Sequence, residues 1–157
     1  MANDWKFEDN SIEVINALDK VGKVWLEDAA RILHRQVVQN TKVDTSQTKS
    51  SWKKDVDEEK ATVGSTSQNA IWEEFGTGHY ALGGDGRKTA WYVPVEGYTG
   101  TRKPTFNGKV VVVRGRGGKE FYKTNGKKPQ RPLHNAKLST EKKIQKRLET
   151  LLKGAMS

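Results

Sequence analysis

The chain has 157 residues, of which 34% are hydrophobic and 30% charged, with a mean hydropathy of -0.82, so it should form one domain with a modest core and much surface left for water or partners. It holds no cysteine, which excludes disulfides, thiolate nucleophiles and cysteine-ligated zinc, and no apolar run approaches the length of a membrane span. The net charge of +9 is unevenly spread: residues 1–100 carry 12 Lys/Arg against 16 Asp/Glu, and residues 101–157 carry 16 against 3, a pattern that fits either nearby nucleic acid or copies stacking on unlike neighbours.

Met1 to Asn10 carries Asp4, Glu8 and Asp9 and lacks the apolar run of a signal peptide, so a soluble protein of intracellular origin is expected. From Ser11 to about Asn40, Ile12, Ile15, Leu18, Val21, Trp25, Ala29, Ile32, Leu33 and Val37 recur at steps of three and four, which predicts a long amphipathic helix. Asn10 with Glu13 resembles a capping box, and Asn40-Thr41 supplies a stop. At 1.5 Å per residue such a helix is roughly 42 Å long. A domain this small does not cover all sides of it, so one end or face should be offered to another chain.

Thr41 to Ser50 is polar and reads as a turn region. Trp52 to Val56 and Ala61 to Gly64, separated by the acidic corner Asp57-Glu58-Glu59, predict a hairpin. Ser65 to Phe75 predicts a short helical turn closed by Gly76, and His79 to Lys88, with four residues Gly83-Gly84-Asp85-Gly86, a loop. Ala90 to Val95 predicts a strand with Pro94 at an edge or an end. Val110 to Val113 and Phe121-Tyr122 predict a second hairpin turning at Arg114-Gly115-Arg116-Gly117-Gly118. Pro132 suits the first turn of a last helix whose stripe is Leu133, Ala136, Ile144, Leu148, Leu151 and Leu152, with Gly154 as its stop and Lys137, Lys142, Lys143, Lys146 and Arg147 on the other face. The expected class is α+β, with a long N-terminal helix and a C-terminal helix packed on a small antiparallel sheet with extended hairpins and loops.

No catalytic set is apparent. His34, His79 and His134 lie far apart, and His34 has no ligand-type residue four positions away. Glu73 and Glu74 are adjacent and point in different directions on a helix or strand, so a surface or inter-subunit salt bridge suits them better than shared acid-base work. Gly83 to Gly86 lacks the lysine-serine or lysine-threonine ending of a phosphate loop. Trp52, Trp72 and Trp91 suit a core better than a base-stacking platform. Arg114 and Arg116 sit between glycines as in segments that touch nucleic-acid backbones, but a hairpin turn explains them first. The expectation is a non-enzyme with no metal and no cofactor.

Three segments carry a resemblance. Asn69-Ala70-Ile71-Trp72-Glu73-Glu74-Phe75-Gly76-Thr77-Gly78 is similar to the Tyr-Ala-x-Tyr-x-Glu-Phe-Gly-Thr signature of the small tail-completion, or head-tail joining, proteins of siphophages, typified by gene product ten of phage HK-ninety-seven. Pro129 to Ala136 resembles that family's Pro-Phe-Leu-x-Pro-Ala segment, which opens its C-terminal helix, and Val43-Asp44-Thr45-Ser46 through Ser51-Trp52 resembles its Thr-Gly-x-Leu-x-x-Ser-Trp stretch. The departures are a missing glycine at Asp44-Thr45-Ser46, Leu133 in place of phenylalanine, and a long insert from His79 to Gly108.

The resemblance implies a virion structural subunit of the neck, forming a sixfold homo-oligomeric ring between the head connector or stopper proteins and the tail terminator or tail tube. It is assembled in the host cytoplasm around the DNA channel, without catalytic residues and without a membrane. The implied subunit or partner contacts are Glu73, Glu74, Phe75, Gly76, Thr77, Gly78, Arg87 and Lys88, with Arg114, Arg116 and Lys119 available to DNA in the lumen or to a partner. In such a ring an acidic patch on one copy meets a basic patch on the next until the circle closes. The alternatives are a tail terminator of the same neck and a basic DNA-binding protein.

Overall fold

The computed structural model describes residues 10–42, 46–100 and 102–156. Helix α1, Ser11–Asn40, is 30 residues long, about 45 Å at the usual rise, as the apolar period predicts. Its start differs in detail from the expected capping box: Asn10 makes no side-chain cap, and only its carbonyl accepts, from Val14 N at 3.1 Å. Its end is built as expected. Thr41 turns extended, and both its N–H and its hydroxyl donate to Val37 O, at 2.9 and 2.7 Å.

A short helix α2, Ser46–Ser50, stands in the stretch expected to be only a turn. It is made by local bonds, with Ser51 N donating to Gln47 O at 3.1 Å and Ser51 Oγ to Thr48 O at 2.7 Å, a pattern that composition does not reveal. The family-like segment at Val43-Asp44-Thr45 lies outside the described residues. Strands β1, Lys53–Val56, and β2, Ala61–Gly64, pair as the expected antiparallel hairpin. The hairpin lies along α1 and points toward its N-terminal half, held by Lys54 to Glu27 and by Lys23 to Glu58 at 3.0 Å.

Helix α3, Gln68–Phe75, ends at Gly76. Strands β3, Trp91–Pro94, β4, Val111–Arg114, and β5, Glu120–Thr124, form a second antiparallel sheet in the order β3-β5-β4, so Pro94 closes an edge strand where its missing N–H costs nothing. Helix α4, Pro132–Ala155, begins at a proline, as expected. It runs through Gly154 rather than stopping there, and the helical bond from Met156 N to Leu152 O closes the last turn.

The class is therefore α+β, with the antiparallel structure divided between two sheets. The largest packing is α1 on α4, antiparallel: Asn40 Nδ2 donates to Pro132 O at 3.2 Å at one end and Trp25 Nε1 to Ile144 O at 3.1 Å further along. The three-stranded sheet packs mostly within itself. The core is small and sits where the C-terminal part of α1 meets the other elements: Val37, Trp52, Ala70 and Ala136 are buried together, flanked by Leu33, Val38, Val63 and Leu133. Trp52 Nε1 donates to Thr41 Oγ1 at 2.9 Å, so the buried indole is satisfied by the same hydroxyl that ends α1. Arg147, expected on the solvent face, turns instead toward α1, where its Nε meets Asp28 at 2.6 Å. Asp28 is buried and also pairs with Arg31, and an unpaired carboxylate there would be costly. No helix among the described residues is long and apolar enough to cross a membrane.

Candidate functional site

The segment Asn69 to Gly78 forms the joint between the helical part and the three-stranded sheet. In α3, Ala70 and Glu73 face inward, while Ile71, Trp72 and Phe75 face outward at 44%, 46% and 54% exposure. Trp72 thus leaves the core role expected for it, whereas Trp52 takes that role.

The two carboxylates also part company. Glu73 is buried, which corrects the expected surface position. Its carboxylate pairs with Lys127, and its carbonyl accepts from Gln130 N at 2.7 Å and Arg131 N at 3.1 Å. Glu74 is half-buried and reaches the start of α4, accepting from Leu133 N at 2.8 Å and His134 N at 3.1 Å. The residue before α4, Arg131, sits in the left-handed region (φ 56°) and offers no side-chain cap. Glu74 supplies that cap from another helix, placing negative charge at the positive end of α4. Both glutamates therefore have partners within their own chain. The physical reason is non-local: the two groups that take them, 127–131 and 133–134, lie more than 50 residues downstream.

Thr77 and Gly78 then cross the segment after β5. Thr77 N donates to Lys127 O at 2.9 Å, Lys127 N to Thr77 Oγ1 at 3.0 Å and His79 N to Asn125 O at 2.9 Å. The backbones come so close that a Cβ on Gly78 would lie 2.6 Å from Asn125 O, and one on Gly126 (φ 116°) would lie 2.1 Å from Thr77 O. The glycines of the signature and Gly126 make the crossing possible. The expected backbone reversal at Gly76 and Gly78 is present, with φ of 74° and 59°.

The expected His79 to Lys88 loop opens with a 3-10 turn, Gly78–Tyr80, and folds back, with Leu82 N donating to Phe75 O at 2.9 Å. Arg87 stacks over Trp91, 5.6 Å from the ring centre, and Lys88 is exposed. Far from the joint, the β4–β5 turn holds the remaining residues expected to make contacts. Arg114 pairs with Glu120 across the hairpin at 3.2 Å, while Arg116 and Lys119 are exposed. The structure thus brings Glu73 to Gly78 together with Lys127 and the start of α4, and leaves Arg114, Arg116 and Lys119 on a separate arm.

Clefts open on the surface of the described residues. One of about 540 Å³ opens beside the joint, between Trp72, Tyr80, Trp91 and Tyr98, and its cations are Arg102, Lys103, Lys127 and Lys128 with no carboxylate among the lining residues. Sequence reasoning did not reach it, although aromatic Trp72 and Trp91 together with the basic stretch after Thr101 were its signal. Another, of about 470 Å³, lies between α1 and the hairpin turn, lined by Leu18, Asp19, Lys23, Trp25, Glu58 and Glu59.

Residues 7–76 match a known family. Its description is "Bacteriophage HK97-gp10, putative tail-component". It is the family whose resemblance the sequence carries, and the matched stretch spans α1, the β1–β2 hairpin and α3 up to Gly76. The sheet, the crossing segment and α4 lie outside the match to this phage tail-component family. No curated protein and no solved structure matches the chain.

Proposed function

We propose that this protein is a non-enzymatic subunit of the phage neck, forming a sixfold ring that joins the head connector to the tail around the DNA channel. The observation that carries this reading is the match of residues 7–76 to the tail-component family. The use of the signature supports it further. Glu73, Glu74, Gly76, Thr77 and Gly78 are engaged in holding α3, β5 and α4 together, which is architectural work rather than chemistry.

In this reading the partners are other copies of the chain, the head connector or stopper proteins on one side and the tail terminator or tail tube on the other. The β4–β5 arm, with exposed Arg116 and Lys119, faces a partner or the DNA that passes through the lumen. Particles made without the protein should then appear by electron microscopy as filled heads and separate tails. Normally joined particles would overturn the proposal.

A further inference from the structure

We infer that the ring is closed by one heterologous contact, in which the N-terminal end of α1 with the acidic β1–β2 turn beside it on one copy docks onto the outward face of α3 and the basic aromatic cleft of the next. The inference rests on the ring reading above and names the two surfaces. Each carries apolar side chains left exposed among the described residues. On α1, Ile12, Ile15 and Leu18 are 73%, 57% and 47% exposed and follow one another at steps of three. Near α3, Ile71, Trp72, Phe75 and Leu82 are all at least 44% exposed, and Leu82 is bonded to Phe75. Contiguous exposed apolar side chains on a chain with so small a core mark a contact surface rather than a random excess.

Charge decides which surface meets which. The cleft at the α1 end has Asp19, Glu58 and Glu59 against Lys23, and since Lys23 pairs with Glu58 at 3.0 Å the excess negative charge is that of Asp19 and Glu59. The cleft at the α3 end has four cations and no carboxylate among its described lining residues, and although Arg102 and Lys127 have partners of their own, Lys103 and Lys128 are exposed. Two acidic ends repel one another, as do two basic ends, so a symmetric pairing of like surfaces is disfavoured and the unlike pairing is favoured.

The two surfaces lie at opposite ends of the helical part. Val37, nineteen residues after Leu18, is in the core with Ala70 of α3, which puts the surfaces roughly 28 Å apart at the helical rise. A contact between separated, unlike surfaces leaves one of each free at every addition, and it stops only when the circle closes.

The test uses charge reversal. One variant carries Glu58→Lys with Glu59→Lys, and the other Lys103→Glu with Lys128→Glu. All four side chains are exposed, so each variant should melt within a few degrees of the wild type. Copies are counted by amine cross-linking, in concentrated solution and on purified particles. Each variant alone should lose at least tenfold of the cross-linked oligomer. The two mixed should return to within twofold of the wild type, because reversed acidic ends then meet reversed basic ends while the unaltered surfaces still fit.

Variants that assemble alone like the wild type, or a mixture that does not recover, overturn this contact and leave the ring reading standing. Should reversal unfold either chain, the neutral forms Glu58→Gln with Glu59→Gln and Lys103→Gln with Lys128→Gln take its place. Each is then expected to weaken assembly alone, and unchanged assembly by both overturns the contact. A wild type that yields only single copies in solution and on particles overturns the ring reading and this contact with it.

Discussion

The Glu74 carboxylate accepts the backbone N–H of Leu133 at 2.8 Å, across 59 residues of sequence. Together with the bond from His134 it ties the last turn of α3 to the first turn of α4. Since Arg131 provides no cap, nothing else described at that helix start does the same work.

Glu74→Ala should therefore destabilise the protein by about 1 to 2 kcal/mol, the usual cost of losing a helix cap. For a chain of this size that is a fall of roughly 2 to 8 °C in melting temperature. Glu74→Gln keeps an acceptor but no charge and should lose less. Thermal melts by circular dichroism read both; an unchanged Glu74→Ala would mean that water replaces the carboxylate at no cost.

Gly126→Ala should be far more harmful than Gly97→Ala. At Gly126 the new methyl meets Thr77 O at 2.1 Å, a backbone atom that cannot move without opening the joint, whereas at Gly97 (φ 75°) nothing lies within 4 Å. The expected costs are about 2 to 4 kcal/mol at Gly126 and about 1 kcal/mol at Gly97, where only the left-handed backbone is strained. Equal denaturant midpoints for the two variants would show that the crossing is looser than its geometry.

Asp57 gives stability a dependence on acid. The Glu59 and Lys60 N–H groups donate to its carboxylate at 3.0 and 2.7 Å and, with a smaller pull from the Lys60 ammonium, hold its carboxyl below the ordinary 3.8. A carboxyl lowered in the folded state stabilises above its unfolded value and loses that contribution as pH falls through the lowered one. The melting difference between wild type and Asp57→Asn should be constant at neutral pH and shrink below about pH 4. A difference that persists into strong acid would assign the effect to turn shape instead of charge.

Arg114→Ala with Arg116→Ala should leave the melting temperature nearly unchanged. Arg114 is 80% exposed even in its pair with Glu120, and exposed pairs contribute roughly 0 to 1 kcal/mol. On the proposed neck role, head-tail joining should nevertheless fall, measured as a complementation titre in a phage lacking the wild-type gene. A variant that melts normally and complements fully would remove these arginines from any needed contact, and one that melts much earlier would make the turn part of the fold.

What the sequence determined by itself was local. The apolar period of Ile12 to Val37 specifies α1, the acidic corner between Val56 and Ala61 specifies a hairpin, and Pro132 specifies the start of α4, because each rests on residues a few positions apart. The signature likewise marked Asn69 to Gly78 as the place to look, and its two glycines turn the chain there as their freedom allows. Only the tertiary structure decided what the marked residues do. The burial of Glu73 depends on Lys127, the reach of Glu74 on Leu133, the inward turn of Arg147 on Asp28, and the exposure of Trp72 on a sheet that leaves a cleft beside it. A charged side chain is stabilised by whatever the folded chain brings beside it. For Glu73 and Glu74 that neighbour comes with the crossing of backbones at Thr77 and Lys127, 50 residues apart, and for Arg147 with the packing of α4 on α1, neither of which a local pattern encodes.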